Sequence, residues 1–251
     1  MTNQPHHHSI LRSAARLPAA GSVLLSGLLL SGALLAAAPA LALEPFNAEY
    51  RASYMGMQAT GNMTLERNGQ DQWEYKVEVA GMGARLTQST TFDEHNDHWR
   101  PLKSVDSQAG ESGLAAMLVK NRSVEAIYDW DAKQARWSGD VDSDATGPVQ
   151  LRAGDMDGML INLAVVRDVA AGQPLNYRLV EDGRVRGQRF RVDGTETISV
   201  AGEQREATRV VRTSGRRETI AWVVEDLPVP ARILQRRNGR DHLDLQLQSF
   251  N

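Results

Sequence analysis

Phe46-Asn47-Ala48-Glu49-Tyr50-Arg51-Ala52-Ser53-Tyr54 alternates apolar and polar residues without a break. Phe46, Ala48, Tyr50, Ala52 and Tyr54 fall on one side of an extended chain, and Asn47, Glu49, Arg51 and Ser53 on the other. Successive strand side chains point to opposite faces, so the segment predicts a strand with one buried and one wet face. Trp73, Tyr75, Val77 and Val79 repeat the pattern against Gln72, Glu74, Lys76 and Glu78. Near the C-terminus Leu243, Leu245 and Leu247 oppose Asp244, Gln246 and Gln248. Such alternation marks an antiparallel sheet, because parallel strands buried on both faces read as continuous apolar runs.

The turns follow the same logic. Asn68-Gly69 and Asn238-Gly239 are two-residue hairpin signals, since both central positions need positive φ. Asp182-Gly183, Asp193-Gly194, Gly202 and Ser214-Gly215 punctuate the second half with the rhythm of a meander. Strands are predicted near 45–55, 59–67, 72–80, 84–92 and 98–105, then near 174–181, 185–193, 195–201, 204–213, 216–225, 231–237 and 241–249. So many strands cannot stay open and flat; the sheet must curl, split into two layers or close. The expected fold is all-β: a strongly curved antiparallel sheet, an open or partly closed barrel, with one principal α-helix packed on it.

That helix is predicted over 155–171, where Met159, Leu160, Leu163, Val166 and Val169 recur at helical spacing. Asp155 or Asp157 caps its start, and Gly172 with Pro174 ends it. A helix between two runs of strands reads as a plug or lid on the sheet. Residues 106–118 and 138–150 read as loops, the first as a flap near a cavity mouth.

Residues 1–42 read as a secretory signal. Arg12 and Arg16 supply a positive start, an apolar core runs from about Val23 to Leu35, and Ala40 and Ala42 fit the small-residue cleavage pattern. Cleavage is expected after Ala42. The core is shorter than the ~20 residues that span a bilayer, so no stable membrane span is expected after cleavage. What remains, residues 43–251, is expected to be a single β-rich periplasmic domain of 209 residues, with 26 basic and 31 acidic side chains.

Composition removes several chemistries. The 251-residue chain has no cysteine, hence no disulfide, thiolate metal site or cysteine nucleophile. A formal charge of −3 gives no general pull toward nucleic acid. Asp140, Asp142 and Asp144 imitate the start of a calcium loop, but Ala145 and Leu151 stand where glycine and glutamate are required. Asp93, Glu94, His95, Asp97 and His98 are too incomplete a set for zinc and read as a polar hairpin connection. Serine-elbow, zinc-protease and phosphate-loop motifs do not occur. No metal or cofactor is expected.

Charge and methionine are unevenly spread. Residues 43–170 carry 12 basic and 20 acidic residues, and residues 171–251 carry 14 and 11. Arg184, Arg186, Arg189, Arg191, Arg205, Arg209, Arg212, Arg216 and Arg217 crowd the second part. Cross-strand pairing with Glu196, Glu203, Glu206 and Glu218 is the simplest reading, and binding of phosphate or carboxylate groups the alternative. Met55, Met57, Met63, Met82, Met117, Met156 and Met159 all precede the second part. They are gap fillers or the lining of an apolar groove under the helix. The groove would be built from Tyr50, Tyr54, Trp73, Tyr75, Met159 and Leu163.

The opening Pro45-Phe46-Asn47-Ala48-Glu49-Tyr50, Gly61 followed by Leu65, the helix beginning at Asp155, and the closing Ala221-Trp222-Val223-Val224-Glu225-Asp226-Leu227-Pro228-Val229-Pro230-Ala231-Arg232 form one set. On these motifs the chain resembles an uncharacterised family of proteobacterial periplasmic proteins known only as a domain of unknown function. The likeness covers most of residues 44–249 and implies a β-rich periplasmic protein with no catalytic residues to carry over. More distantly, the architecture is similar to periplasmic lipoprotein-carrier half-barrels and spiral-sheet envelope-integrity proteins.

The expected role is therefore non-catalytic: binding an apolar or lipid-like ligand, or a partner protein, in cell-envelope maintenance. A periplasmic hydrolase acting on glycan or lipid through a carboxylate pair is the alternative, marked by a polar cleft holding two acids. A third possibility is a module that takes up a partner strand at an open sheet edge near 45–55 or 241–249.

Overall fold

The computed structural model describes residues 43–251 apart from Met55, Gln70 and Leu114. Residues 1–42, read from the sequence as a secretory signal, lie outside the described residues. The chain opens with strands β1 (Phe46–Tyr54), β2 (Met57–Arg67), β3 (Gln72–Gly81), β4 (Ala84–His95) and β5 (His98–Gly110). A short helix α1 (Ala115–Leu118) leads to β6 (Arg122–Asp129), β7 (Gln134–Gly139), β8 (Val149–Gln150) and β9 (Asp155–Met156). Helix α2 (Gly158–Ala170) follows, and then β10 (Asn176–Glu181), β11 (Arg184–Arg189), β12 (Arg191–Val200), β13 (Glu203–Ser214), β14 (Arg217–Val223), β15 (Arg232–Arg237) and β16 (Arg240–Phe250).

Thirteen strands form one curved sheet in the order β12-β13-β14-β15-β16-β1-β2-β3-β4-β5-β6-β7-β8. Two meanders are thus joined where the first strand pairs with the last, with Ala52 opposite Leu245. The sheet is antiparallel throughout and does not close, as its order ends at β12 and β8. Those two strands are the edges. Strands β1 and β16, where an open edge would have marked the strand-addition alternative, pair with each other and lie in the interior of the sheet. A small second sheet, β11-β10-β9, contains a parallel pair, β9 with β10.

The alternation of 46–54 does what its pattern requires. Phe46, Ala48, Tyr50 and Ala52 are buried, while Asn47, Glu49 and Arg51 are exposed. Asn238-Gly239 is a two-residue turn with Arg237 opposite Arg240 and φ values of 53° and 75°. Two turn expectations are corrected. Asn68-Gly69 sits in a longer connection, since pairing resumes only with Arg67 opposite Trp73. Asp193-Gly194 is a bulge inside β12, where the register shifts between Val192 and Thr195. Gly194, at φ 114°, supplies the conformation this extra residue needs. Residues 106–110 extend β5 rather than belonging to a loop.

Helix α2 starts later than expected. Asp155 and Met156 pair with β10, and Asp157 is the cap, accepting the Leu160 N–H at 2.8 Å. Met159, Leu160, Ile161, Leu163, Ala164, Val165, Val166 and Asp168 are all buried. A helix covered on most of its circumference is a core element rather than a surface one. It packs against β4 of the large sheet and against β9 and β10 of the small one. One hydrophobic cluster gathers α2 with residues from both meanders. Among the described residues every buried side-chain nitrogen and oxygen has a hydrogen-bond partner, and no helix is long and apolar enough to cross a membrane.

Candidate functional site

The expected groove residues divide between the core and its margin. Tyr50, Trp73, Tyr75, Met159 and Leu163 all belong to the main hydrophobic cluster. The Tyr50 hydroxyl donates to the Pro230 carbonyl at 2.8 Å, and the Tyr75 hydroxyl faces Met63 Sδ at 3.5 Å. Arg67 covers the Trp73 ring at 4.4 Å. Tyr54 stands apart, its ring 5.0 Å from that of His242. Met159 and Leu163 stand on α2 and share one packed cluster with the sheet residues Tyr50, Trp73 and Tyr75. The apolar space left beside Leu163, Trp99 and Val166 measures about 30 Å³, too small for a lipid-like ligand.

A larger cavity opens at the N-terminal end of α2. It measures about 350 Å³ and is walled by both meanders, the helix and the small sheet. Its origin is a change of polarity along the inner face of the sheet. On β4 the inward positions run Phe92, Thr90, Gln88, from fully buried phenylalanine to exposed amide. On the opposite wall Arg212, Thr219 and Gln235 are cross-strand neighbours on β13, β14 and β15. Gln188 on β11 and Asn162 on α2 add two more amides, and Ser89 and Ser104 two hydroxyls. Tyr128, Trp137 and Phe190 form the apolar part of the wall.

Two carboxyl groups in this basin are held above their ordinary range. Burial raises Asp157 from 3.8 to about 6, against the pull of hydrogen bonds from the Leu160 N–H, the Thr90 hydroxyl and the Met159 N–H. Burial also raises Glu181 from 4.5 to about 7; repulsion from Asp182, Asp157 and Asp106 adds to it, and Arg186 opposes it. Arg186 donates to Glu181 at 3.2 Å. The folded protein therefore holds these protons more tightly than the unfolded chain. The stability they contribute is complete below about pH 4 and is lost as pH rises through 6 and 7. Because 43% of the Glu181 side chain meets water, screening leaves about 1 kcal/mol at stake for it. Glu181→Gln is expected to melt with wild type at pH 4 and about 2–4 °C above it at pH 8. Equal differences at both pH values in a calorimetric scan would contradict the assignment.

The basin lacks a hydrolase's usual pairing. None of His95, His98 or His242 lines it, so Ser89 and Ser104 have no imidazole base. Both oxygens of Asp157 are engaged, one by the Leu160 N–H and one by the Thr90 hydroxyl. The acidic run at 140–144 lies around a short 3-10 turn, and the 93–98 set spans the β4–β5 hairpin. Asp144 pairs with Arg184, Asp93 with Arg100, and His95 faces His98 across a two-residue turn. No group of three or more metal-ligating side chains converges among the described residues.

The model of one protein family matches residues 49–240. The chain belongs to the DUF3108 family, proteins of unknown function. No curated protein matches it. Among solved structures it is similar to a β-barrel-like protein of domain of unknown function DUF1849 from Brucella abortus. That likeness has 13% identity, a TM-score of 0.47, and covers 83% of this chain and 98% of the other. It is also similar to a chain of the Pseudomonas aeruginosa MucA/MucB complex, at 15% identity and a TM-score of 0.37, covering 82% of this chain and 51% of that one. This DUF3108 chain thus spans about half the length of the MucA/MucB chain it matches. Likenesses this distant say nothing about what a DUF3108 protein binds.

Apart from Met159, the basin residues were not among the expected site residues. Their signal was present, as polar side chains at inward-phase positions of otherwise amphipathic strands, such as Gln88, Thr219 and Gln235. Reading it requires knowing which face is inward at the end of each strand, and that depends on the register.

Proposed function

We propose that the protein is exported to the periplasm and serves the cell envelope as a non-catalytic binding module, its ligand a small polar molecule seated in the basin beside α2. The observation that carries this is the contrast between the two spaces under the sheet. The apolar side chains of α2 and the sheet pack into one cluster, whereas the open space is lined with amides and hydroxyls together with charged groups such as Asp157, Glu181 and Arg212. Such groups fix orientation through hydrogen bonds, and the neighbouring aromatic rings supply apolar contact. Export rests on the signal-like sequence of residues 1–42.

Native mass spectrometry of protein gently released from the periplasm tests the proposal. The expected result is a small-molecule adduct on wild type that is lost from both Asn162→Leu and Gln88→Leu, on different walls of the basin. Repeated recovery of the bare monomer, or an adduct indifferent to both substitutions, would overturn it.

A second reading has one observation in its favour. Glu181, near 7, is suited to donate a proton in glycan hydrolysis. Asp157 is fully engaged, so Asp106 or Asp182 would have to serve as the second carboxylate. Turnover of an oligosaccharide, abolished by Glu181→Gln, would establish hydrolysis; binding without turnover supports the first reading.

A further inference from the structure

Most of the crowded arginines find carboxylates. Arg184 pairs with Asp144, Arg186 with Glu181, Arg191 and Arg209 with Asp193, and Arg205 with Asp226. Arg189, Arg212 and Arg216 find none among the described residues, and three neighbouring strands carry a further unpaired set. Arg217 on β14 lies directly opposite Arg237 on β15, which lies directly opposite Arg240 on β16. Directly paired residues share a face of the sheet, so the three guanidinium stems rise from one face, neighbouring strands being about 5 Å apart.

The other face of the same strands shows what a settled arrangement looks like. One position along, Glu218, Arg236 and Asp241 form the complementary row, with Arg236 bonded to Glu218 at 3.3 Å and to Asp241 at 2.9 Å. Arg217, Arg237 and Arg240 have no carboxylate partner among the described residues, and all three are exposed. Like charges placed directly opposite one another destabilise a sheet. The Asn238 N–H donates to the Arg216 carbonyl at 2.9 Å, locking the two hairpin tips together. The row therefore sits on a defined frame.

Its position connects it to the basin. Strand residues two apart share a face, so Arg217 and Arg237 are the next steps outward from Thr219 and Gln235, which line the cavity. Arg212, opposite Thr219, is half-buried in the cavity wall and also lacks a carboxylate partner. The arginines thus run from inside the basin out over its mouth.

We propose that this row anchors a ligand bearing two or more phosphate groups, whose uncharged part enters the basin. Guanidinium forks bind phosphate oxygens in pairs, and adjacent forks one strand apart suit adjacent phosphates better than a single carboxylate. The uncharged half of the assignment rests on the basin reading; the row itself does not.

The test is calorimetric titration of the full exported protein with tripolyphosphate at low salt. Wild type is expected to bind, with affinity falling as salt rises. The Arg217→Gln/Arg237→Gln variant is expected to lose at least tenfold in affinity, with its melting temperature unchanged or raised by the relief of repulsion. Arg205→Gln removes an arginine that is paired elsewhere, and is expected to bind as wild type does. Cosedimentation with cardiolipin-containing vesicles, in addition, would place the phosphates on a membrane lipid; tripolyphosphate binding alone would place them on a soluble ligand. Failure of wild type to bind either probe, or equal weakening by Arg205→Gln, would overturn the proposal. Asn162→Leu separates the two assignments. Tripolyphosphate binding should survive it, whereas loss of the row with a persistent basin adduct would leave the basin reading intact.

Discussion

Arg178→Ala is expected to cost the fold about 3 kcal/mol, because it strands a carboxylate in the interior. The Asp155 side chain is 1% exposed and receives Arg178 Nη1 at 2.9 Å and the Arg152 N–H at 2.8 Å. Burial already raises the carboxyl above its ordinary range, and Arg178 is among the groups that hold it down. Without the guanidinium, Asp155 must either remain ionised at high cost or take up a proton. The loss measured by urea unfolding should therefore be largest near pH 8 and shrink toward pH 5. Asp155→Asn combined with Arg178→Met should recover most of it, since removing both charges is far milder than removing one. A pH-independent loss, or no recovery in the double variant, would mean that Arg178 acts through packing alone. The pair also joins β9 to β10 immediately before Asp157, the cap of α2, which lines the basin.

Leu160→Ala is expected to destabilise by about 3–4 kcal/mol, within the range for large-to-small changes at enclosed sites. Leu160 is fully buried at 0% exposure in the first turn of α2, and its N–H is the one Asp157 caps. Its side chain belongs to the cluster that ties the helix to both meanders, so little can collapse into the space it leaves. Val169→Ala, on the half-buried last turn of the same helix, should cost about 1 kcal/mol or less. Similar small losses at both sites in equilibrium unfolding would indicate a loosely seated helix and count against α2 as a plug.

Legibility followed register. The strand at 46–54 was readable because its alternation is uninterrupted and its wet face carries only polar side chains. Strand β6 lacked that clarity. Val124, Ala126 and Tyr128 face inward, but Ile127 on the wet side is 46% exposed, and Ala126-Ile127-Tyr128 reads as an apolar run. Strands β8 and β9 are two residues long, too short for any period to register. Helix α2 was evident from its spacing. Its near-complete burial was not, because the small sheet that covers it comes from segments on either side of it in the chain. Five of the six residues expected to line a groove pack in the main hydrophobic cluster, where Met159 and Leu163 of α2 meet the sheet, and Tyr54 lies outside it. The polar basin and the arginine row emerge only once Thr219 is known to lie beside Arg212 and Gln235, and Arg237 between Arg217 and Arg240.

Amide hydrogen exchange along α2 tests most directly whether the sheet is plugged by its own helix. The amides of Leu163, Ala164, Val165 and Val166 should exchange only through global unfolding, with the same urea dependence as the centre of β1. Exchange of those four amides through a low-energy opening, while β1 stays protected, would show a helix that lifts from the sheet and would contradict a permanently filled hollow.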